Sequence, residues 1–386
     1  MSTSTPAIGR TSLPTNRRSL VKLAAVAGAA GLGSASALGQ TRHAERAAAG
    51  SAGPGAGPLR KGMFGFTLAH EQFPAPELVQ LGALASHSGF ELLATSDHLQ
   101  PWQSNQGHVG QAWVTMGALG AQAPRSWMGT AVTCPTLRYN PAVVAEAFAT
   151  LNNLYPGRVF LGVGSGEALN EQAATGAWPK WQERWDRLIE AITVIRALWA
   201  GQAVAHKGTY YDVNAKLEDA PSKPIPLITA ANGKKSMRLA GQHGDGLISD
   251  PKSWKQWKSE WEAGARAAGK DPSTMPVIIE HYVVVGDKAE ADKAAELWRF
   301  GPKSWKGLFD VRDPAEIQRR ADAETPLDEV MKGWPIGTDP AAHIKAAREL
   351  FDSGVSVVNV HSGQADQKRV IEFYAQHVLP SFKQSG

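Results

Sequence analysis

The chain carries one cysteine, Cys134, in 386 residues. A single thiol builds no disulfide framework, and no Cys/His cluster has metal-ligand spacing, so a stapled miniature domain and a structural zinc site are both excluded. No Gly-x-Ser-x-Gly elbow is present, which removes the commonest esterase arrangement. An excess of one charge is missing too. The formal net charge is +4, but Arg10, Arg17, Arg18 and Lys22 all precede Thr41 in a stretch without Asp or Glu. The 36 basic residues that follow equal the 36 acidic ones, so the body of the chain is neutral and offers no footprint for nucleic acid. After the N-terminal stretch, no hydrophobic run is long enough to suggest a membrane span.

What is there begins with that N-terminus. Asn16-Arg17-Arg18-Ser19-Leu20-Val21-Lys22 is followed by an uncharged Ala/Gly-rich stretch to Thr41, with Ala35-Ser36-Ala37 as a cleavage site. This reads as a twin-arginine export signal over residues 1–40, with the periplasm or cell envelope as destination, or retention at the membrane if it stays uncleaved. The route carries folded proteins, which suits a cofactor loaded before export. Residues 41–60, rich in Ala, Gly and Ser, read as a tether, leaving 61–386 as a single folded domain.

In that domain, apolar runs at 62–68, 90–95, 127–133, 158–163, 225–230, 246–249, 277–285 and 356–360 predict strands. Amphipathic segments at 76–88, 141–154, 182–199, 234–242, 254–268 and 289–298 predict helices between them. Continuously apolar strands alternating with helices imply a parallel sheet covered on its faces. Eight alternations in a chain of this length favour a closed α/β (β/α)8 TIM barrel, with an open doubly wound sheet as the alternative. Residues 300–336 break the alternation and read as an insertion over the strand C-termini.

The unusual segments fall just after predicted strands, where barrel enzymes place their chemistry. His70-Glu71-Gln72-Phe73 follows the first. Ser96-Asp97-His98-Leu99-Gln100-Pro101-Trp102 follows the second: an acid, an imidazole that can exchange a proton near neutral pH, and an indole on a stiffened loop. Gly162-Val163-Gly164-Ser165-Gly166-Glu167-Ala168-Leu169-Asn170 follows the fourth. Its glycines let a planar ligand approach the backbone, with Glu167 aimed into that space; a tight strand–helix turn, with Glu167 as an early helical residue, accounts for the segment equally well. Ala231-Asn232-Gly233 then leads into Lys234, Lys235 and Ser236. Two cations at a helix N-terminus oppose its dipole, so they point to a bound anion such as phosphate, or else are solvated lysines.

Together these motifs resemble the coenzyme F420-dependent glucose-6-phosphate dehydrogenase family, in the luciferase-like group of barrels. The resemblance rests on Glu71-Gln72-Phe73, Ser96-Asp97-His98 with Gln100-Pro101-Trp102, Arg138-Tyr139-Asn140-Pro141, Leu154-Tyr155-Pro156 and Gly166-Glu167-Ala168-Leu169-Asn170-Glu171. It implies coenzyme F420 lying across the strand C-termini and a non-prolyl cis peptide, Ala131–Val132, behind its ring. It implies His98 and Glu167 as the acid/base pair, with Trp102 and Glu71 in the reaction pocket. It further implies Asp97, Val132, Cys134, Ser165, Gly166 and Asn170 around the cofactor, and Ala231, Asn232, Gly233, Lys235 and Ser236 at its phosphate end. No metal is implied.

Where the family carries basic residues for a sugar phosphate, this chain offers Asn214 and His281, with Lys216 and Arg299 nearby. An exported branch of the family is associated with hydroxylated envelope lipids such as hydroxymycolic acid. The expected activity is therefore an F420-dependent dehydrogenase acting on a small-molecule or lipid alcohol, as a homodimer that contacts the twin-arginine machinery in transit. An FMN-dependent monooxygenase on the same barrel and a non-catalytic F420-binding protein are the alternatives.

Overall fold

The computed structural model describes residues 57–382. The expected export signal (1–40) and the first part of the tether lie outside these residues. Among the described residues ten strands run in chain order: β1 (Met63–Leu68), β2 (Leu92–Thr95), β3 (Trp127–Thr130), β4 (Val159–Val163), β5 (Val204–Lys207), β6 (Asp212–Ala215), β7 (Leu227–Ala230), β8 (Gly246–Ser249), β9 (Val277–Tyr282) and β10 (Val357–His361). Eight of them close a parallel barrel in the order β1-β2-β3-β4-β7-β8-β9-β10, β10 pairing back onto β1. The closed form therefore holds over the open sheet. The remaining pair, β5 and β6, is an antiparallel hairpin outside the barrel.

Alternation along each strand makes two cores. Phe64, Phe66, Leu161, Val163, Ile279 and Val360 face the surrounding helices, whereas Met63, Leu92, Phe160, Ile228, Ile278 and Val357 fill the barrel interior. Both sets are buried, which is why the strands read as unbroken apolar runs.

Several boundaries move. The helix Ala112–Gln122 lacks a polar face and contains two glycines, so no amphipathic period marks it. Its Gly120 lies against the Tyr155 ring, where a Cβ would come within 2.3 Å. The end of the expected tether is packed rather than loose: Leu59 sits against the inner-barrel cluster, and the Trp127 indole N–H donates to Gly57 O at 2.7 Å. The 300–336 insertion forms two 3-10 segments and the helices Pro314–Glu324 and Leu327–Val330. Among the described residues no helix is long and apolar enough to cross a membrane.

Candidate active site

The sites expected from sequence meet at the C-terminal rim of β1 to β4. Glu71, just beyond β1, is 1% exposed and accepts a hydrogen bond from Ser96 Oγ at 2.6 Å. The same hydroxyl accepts from the His70 backbone N–H, so Ser96 ties the β1 and β2 ends together. His98 is buried, with Nδ1 3.6 Å from Glu71 Oε1 and 3.3 Å from the Gln100 carbonyl oxygen. A carbonyl can only accept, so in the neutral ring Nδ1 carries the proton and Nε2 keeps the lone pair. The His98 ring leans on Trp102, centroids 5.2 Å apart, and Trp102 is stacked on Phe300 at 4.4 Å with Phe309 against its edge. Both phenylalanines come from the insertion, which thus walls the site as its position suggested.

Asp97 faces the other way. It is 2% exposed, and its carboxylate accepts from Thr133 Oγ1 (2.6 Å), Arg138 Nη2 (3.2 Å) and Tyr139 Oη (3.2 Å). Arg138 continues the network to Glu171, whose Oε2 accepts the Arg138 backbone N–H at 2.6 Å and whose Oε1 lies 3.5 Å from the guanidinium. Burial pushes the Glu171 carboxyl up to about 7, partly offset by Arg138. Arg138 and Glu171 stand in the quoted motifs, but sequence reasoning gave neither a role. A charged residue inside an otherwise apolar β–α turn was the available signal.

The peptide Ala131–Val132 is cis, as the resemblance implied. Gly164 at the end of β4 faces it so closely that a Cβ would meet Val132 Cγ2 at 2.7 Å. Gly166 has φ +82° and lies against Cys134 Sγ and Glu171. Cys134 is buried beside Thr136, and burial drives its thiol well above its usual range, so it forms wall rather than nucleophile. Asn170 joins two loops: its Oδ1 accepts the Leu99 N–H at 2.8 Å and the Gln100 N–H at 3.3 Å, while its Nδ2 donates to Glu167 Oε2 at 3.2 Å. The part-buried Glu167, with Ser165 beside it, is thereby fastened to the loop that carries His98.

The other end of the site lies beyond β7. Gly233 caps the helix Lys234–His243, and its N–H donates to Ser236 Oγ at 3.0 Å. A Cβ on Gly233 would touch only that hydroxyl, at 3.5 Å, so the space before the helix is open. Ala231 is buried, and the Asn232 amide is hemmed by Ser249 Oγ and Ala231 O, each 2.7 Å away. Lys235 donates to Gln182 and lies over the Trp181 ring at 4.6 Å; Lys234 is 3.6 Å from Glu260. A glycine-lined slot at β3–β4 and an open helix N-terminus at β7 suit a flat ring attached to an anionic group.

The luciferase-like monooxygenase family model matches residues 19–356. The chain is 44% identical over 329 residues to the F420-dependent hydroxymycolic acid dehydrogenase of Mycobacterium tuberculosis, covering 84% of this chain and 89% of that protein. It belongs to the luciferase-like family. It is also 38% identical over 339 residues to the F420-dependent glucose-6-phosphate dehydrogenase of Microbacterium testaceum, covering 84% and 98%. Among solved structures, an F420-dependent secondary alcohol dehydrogenase in complex with an F420-acetone adduct superposes with a TM-score of 0.79 at 32% identity, over 84% of this chain and 99% of that one. That solved structure shares the barrel of this luciferase-like chain.

The expected sugar-phosphate positions take other places. His281 faces the helices and is buried, which lowers its imidazole to about 4. Asn214 lies exposed on the β5–β6 hairpin, Lys216 pairs with Glu218, and Arg299 is held by Thr325 O and Asp322.

Proposed function

We propose that this protein is an F420-dependent dehydrogenase that oxidises a secondary alcohol or hemiacetal carbinol, exported through the twin-arginine route to act on a hydroxylated envelope lipid of the hydroxymycolic acid kind. One observation carries the reading: Asn170 clamps Glu167 to the His98 loop, so a base and an acid share one rim of the barrel mouth. The relatives' dependence on F420 and the family motifs support the cofactor. Val132, Cys134, Ser165, Gly166 and Asn170 would border its ring. Ala231, Asn232, Gly233, Ser236 and Lys235 would hold its phosphate with backbone N–H groups and one cation. When bound, coenzyme F420 supplies a hydride acceptor.

The chain's own residues manage the protons. His98 takes the hydroxyl proton at Nε2, and the Glu71 carboxylate 3.6 Å from Nδ1 then faces the imidazolium. Trp102 and the two phenylalanines close the pocket against water, which strengthens that pairing. Glu167 holds a proton at the cofactor side, its orientation fixed through Asn170. Asp97 serves through its loop, because its carboxylate is committed to Thr133, Arg138 and Tyr139.

Fluorescence titration of the purified protein tests the reading. F420 should quench saturably in the micromolar range or below, with no response to NADP. Saturable binding of FMN or NADP without an F420 response would overturn it.

A further inference from the structure

A second acid–imidazole pair stands in the barrel mouth, outside the machinery described above. Glu280 lies on the inward face of β9, between Ile278 of the inner core and Tyr282. Its Oε1 is 2.7 Å from Nδ1 of His361, at the inward end of the neighbouring β10. The His361 side chain is 2% exposed, whereas that of Glu280 is 39% exposed. The flanking β9 residues Ile279 and His281 are sealed under helices. The open part of Glu280 therefore faces the mouth.

The pair is not saturated by the protein. Among the described residues, Glu280 Oε2 has no hydrogen-bond partner and His361 Nε2 is buried without one. Tyr282 stacks on His361 at 4.3 Å and on Trp334 at 5.1 Å, and the Trp298 ring stands edge-on to His361. The Glu280 and Glu71 carboxylates both add to the burial that raises the Tyr282 hydroxyl above its usual range, so this ring is common to the pair and to the acid beside His98.

Charge then decides what such a subsite can take. The only ion-pair partner of Glu280 among the described residues is His361. Lys216 and Arg299, the cations that sequence placed close to the family's sugar-phosphate positions, are committed to Glu218 and Asp322. An unpaired carboxylate oxygen repels phosphate and accepts strongly from a hydroxyl. Resting on the dehydrogenase reading, we propose that Glu280, oriented by His361, is a specificity-determining residue that receives a second hydroxyl of a neutral substrate and turns away phosphorylated ones. Apolar stacking surface from Tyr282, Trp298 and Trp334 surrounds that hydroxyl, as a ring or a chain bearing it would require.

The test compares probes within each variant, so a general loss of activity cancels. With F420-loaded protein, kcat/KM is measured for propane-1,2-diol against propan-2-ol, and for glucose against glucose 6-phosphate. Wild type should favour the diol and glucose. Glu280→Gln should lower the diol-to-monool ratio roughly tenfold or more, chiefly through KM, because a charge-assisted hydrogen bond becomes a neutral one. Glu280→Lys should reverse the glucose preference toward the phosphate ester. His361→Phe should lose the diol preference, and His361→Gln, which keeps a donor for Glu280, should restore it.

A second readout is the tryptophan fluorescence of the same proteins titrated with glucose and glucose 6-phosphate. Wild type should respond to glucose alone, and Glu280→Lys should respond to the phosphate ester. Ratios unchanged in Glu280→Gln, or a wild type that binds both sugars equally, would overturn the assignment. If no probe is turned over, these small alcohols and sugars are not substrates, the dehydrogenase reading keeps its own test in F420 binding, and the fluorescence titration decides the role of Glu280.

Discussion

Glu171 offers a stability test whose sign follows from its surroundings. The side chain is fully buried, and burial outweighs the help of Arg138, so its carboxyl titrates near 7 rather than the ordinary 4.5. A raised folded value means that the neutral acid is the form the fold prefers. Its stabilising contribution is complete below about pH 4.5 and is lost as pH rises through about 7. The rise from 4.5 to about 7 corresponds to about 3 kcal/mol. Glu171→Gln keeps an acceptor for the Arg138 backbone N–H and cannot ionise. It also weakens the pairing with the Arg138 guanidinium, which adds an offset. The informative quantity is thus the difference between the two proteins as pH changes. Urea unfolding at pH 5, 6, 7 and 8 should show Glu171→Gln gaining on wild type by about 2–3 kcal/mol across the range. A difference that stays flat would refute the buried neutral acid. A difference of opposite sign would show that attraction to Arg138 exceeds the cost of burial.

Two shorter predictions concern the site itself. His98→Ala and Glu167→Gln should each lower turnover by roughly 10²–10⁴-fold while leaving F420 affinity within a few-fold. Each should also remove one limb of the pH–rate profile, and the limb lost identifies the base; near wild-type turnover in both would move the chemistry elsewhere on the rim. Lys234→Ala with Lys235→Ala should weaken F420 binding more than it changes saturated turnover, by fluorescence titration and steady-state kinetics. An unchanged affinity would leave Lys235 as a surface group resting on Trp181 and Lys234 as the partner of Glu260.

All eight barrel strands were legible because burial on both faces leaves unbroken apolar runs that side-chain polarity alone reveals. The helix Ala112–Gln122 was not, since its packing against Tyr155 depends on Gly120 being small, and smallness carries no period. Half-exposed β5 and β6 escaped for a related reason: their backbone is organised from outside, with Glu190 accepting from the N–H groups of Thr209, Tyr210 and Tyr211 at the hairpin turn. The packing at the end of the expected tether leaves no mark in the sequence, because Leu59 and Gly57 find their partners only once Trp127 is in place beneath the barrel.

The candidate site shows the same division. Glu71, His98, Trp102 and Glu167 stood out because polar or large side chains directly after strands have no packing purpose there. Their partners did not: Ser96, Thr133 and Arg138 each join residues from different strand ends, and such links exist only in the closed barrel, as does the bond from Asn170, expected at the cofactor, to the His98 loop. Closure also explains why Glu280 and His361 went unremarked. Each sits in an apolar strand pattern, Glu280 within β9 and His361 at the end of β10, 81 positions apart, and only the pairing of β9 with β10 makes them neighbours. A barrel can therefore change what it accepts at the mouth through a single inward position on one strand while its opposite rim stays as it is. The test of Glu280 asks whether this chain has done so.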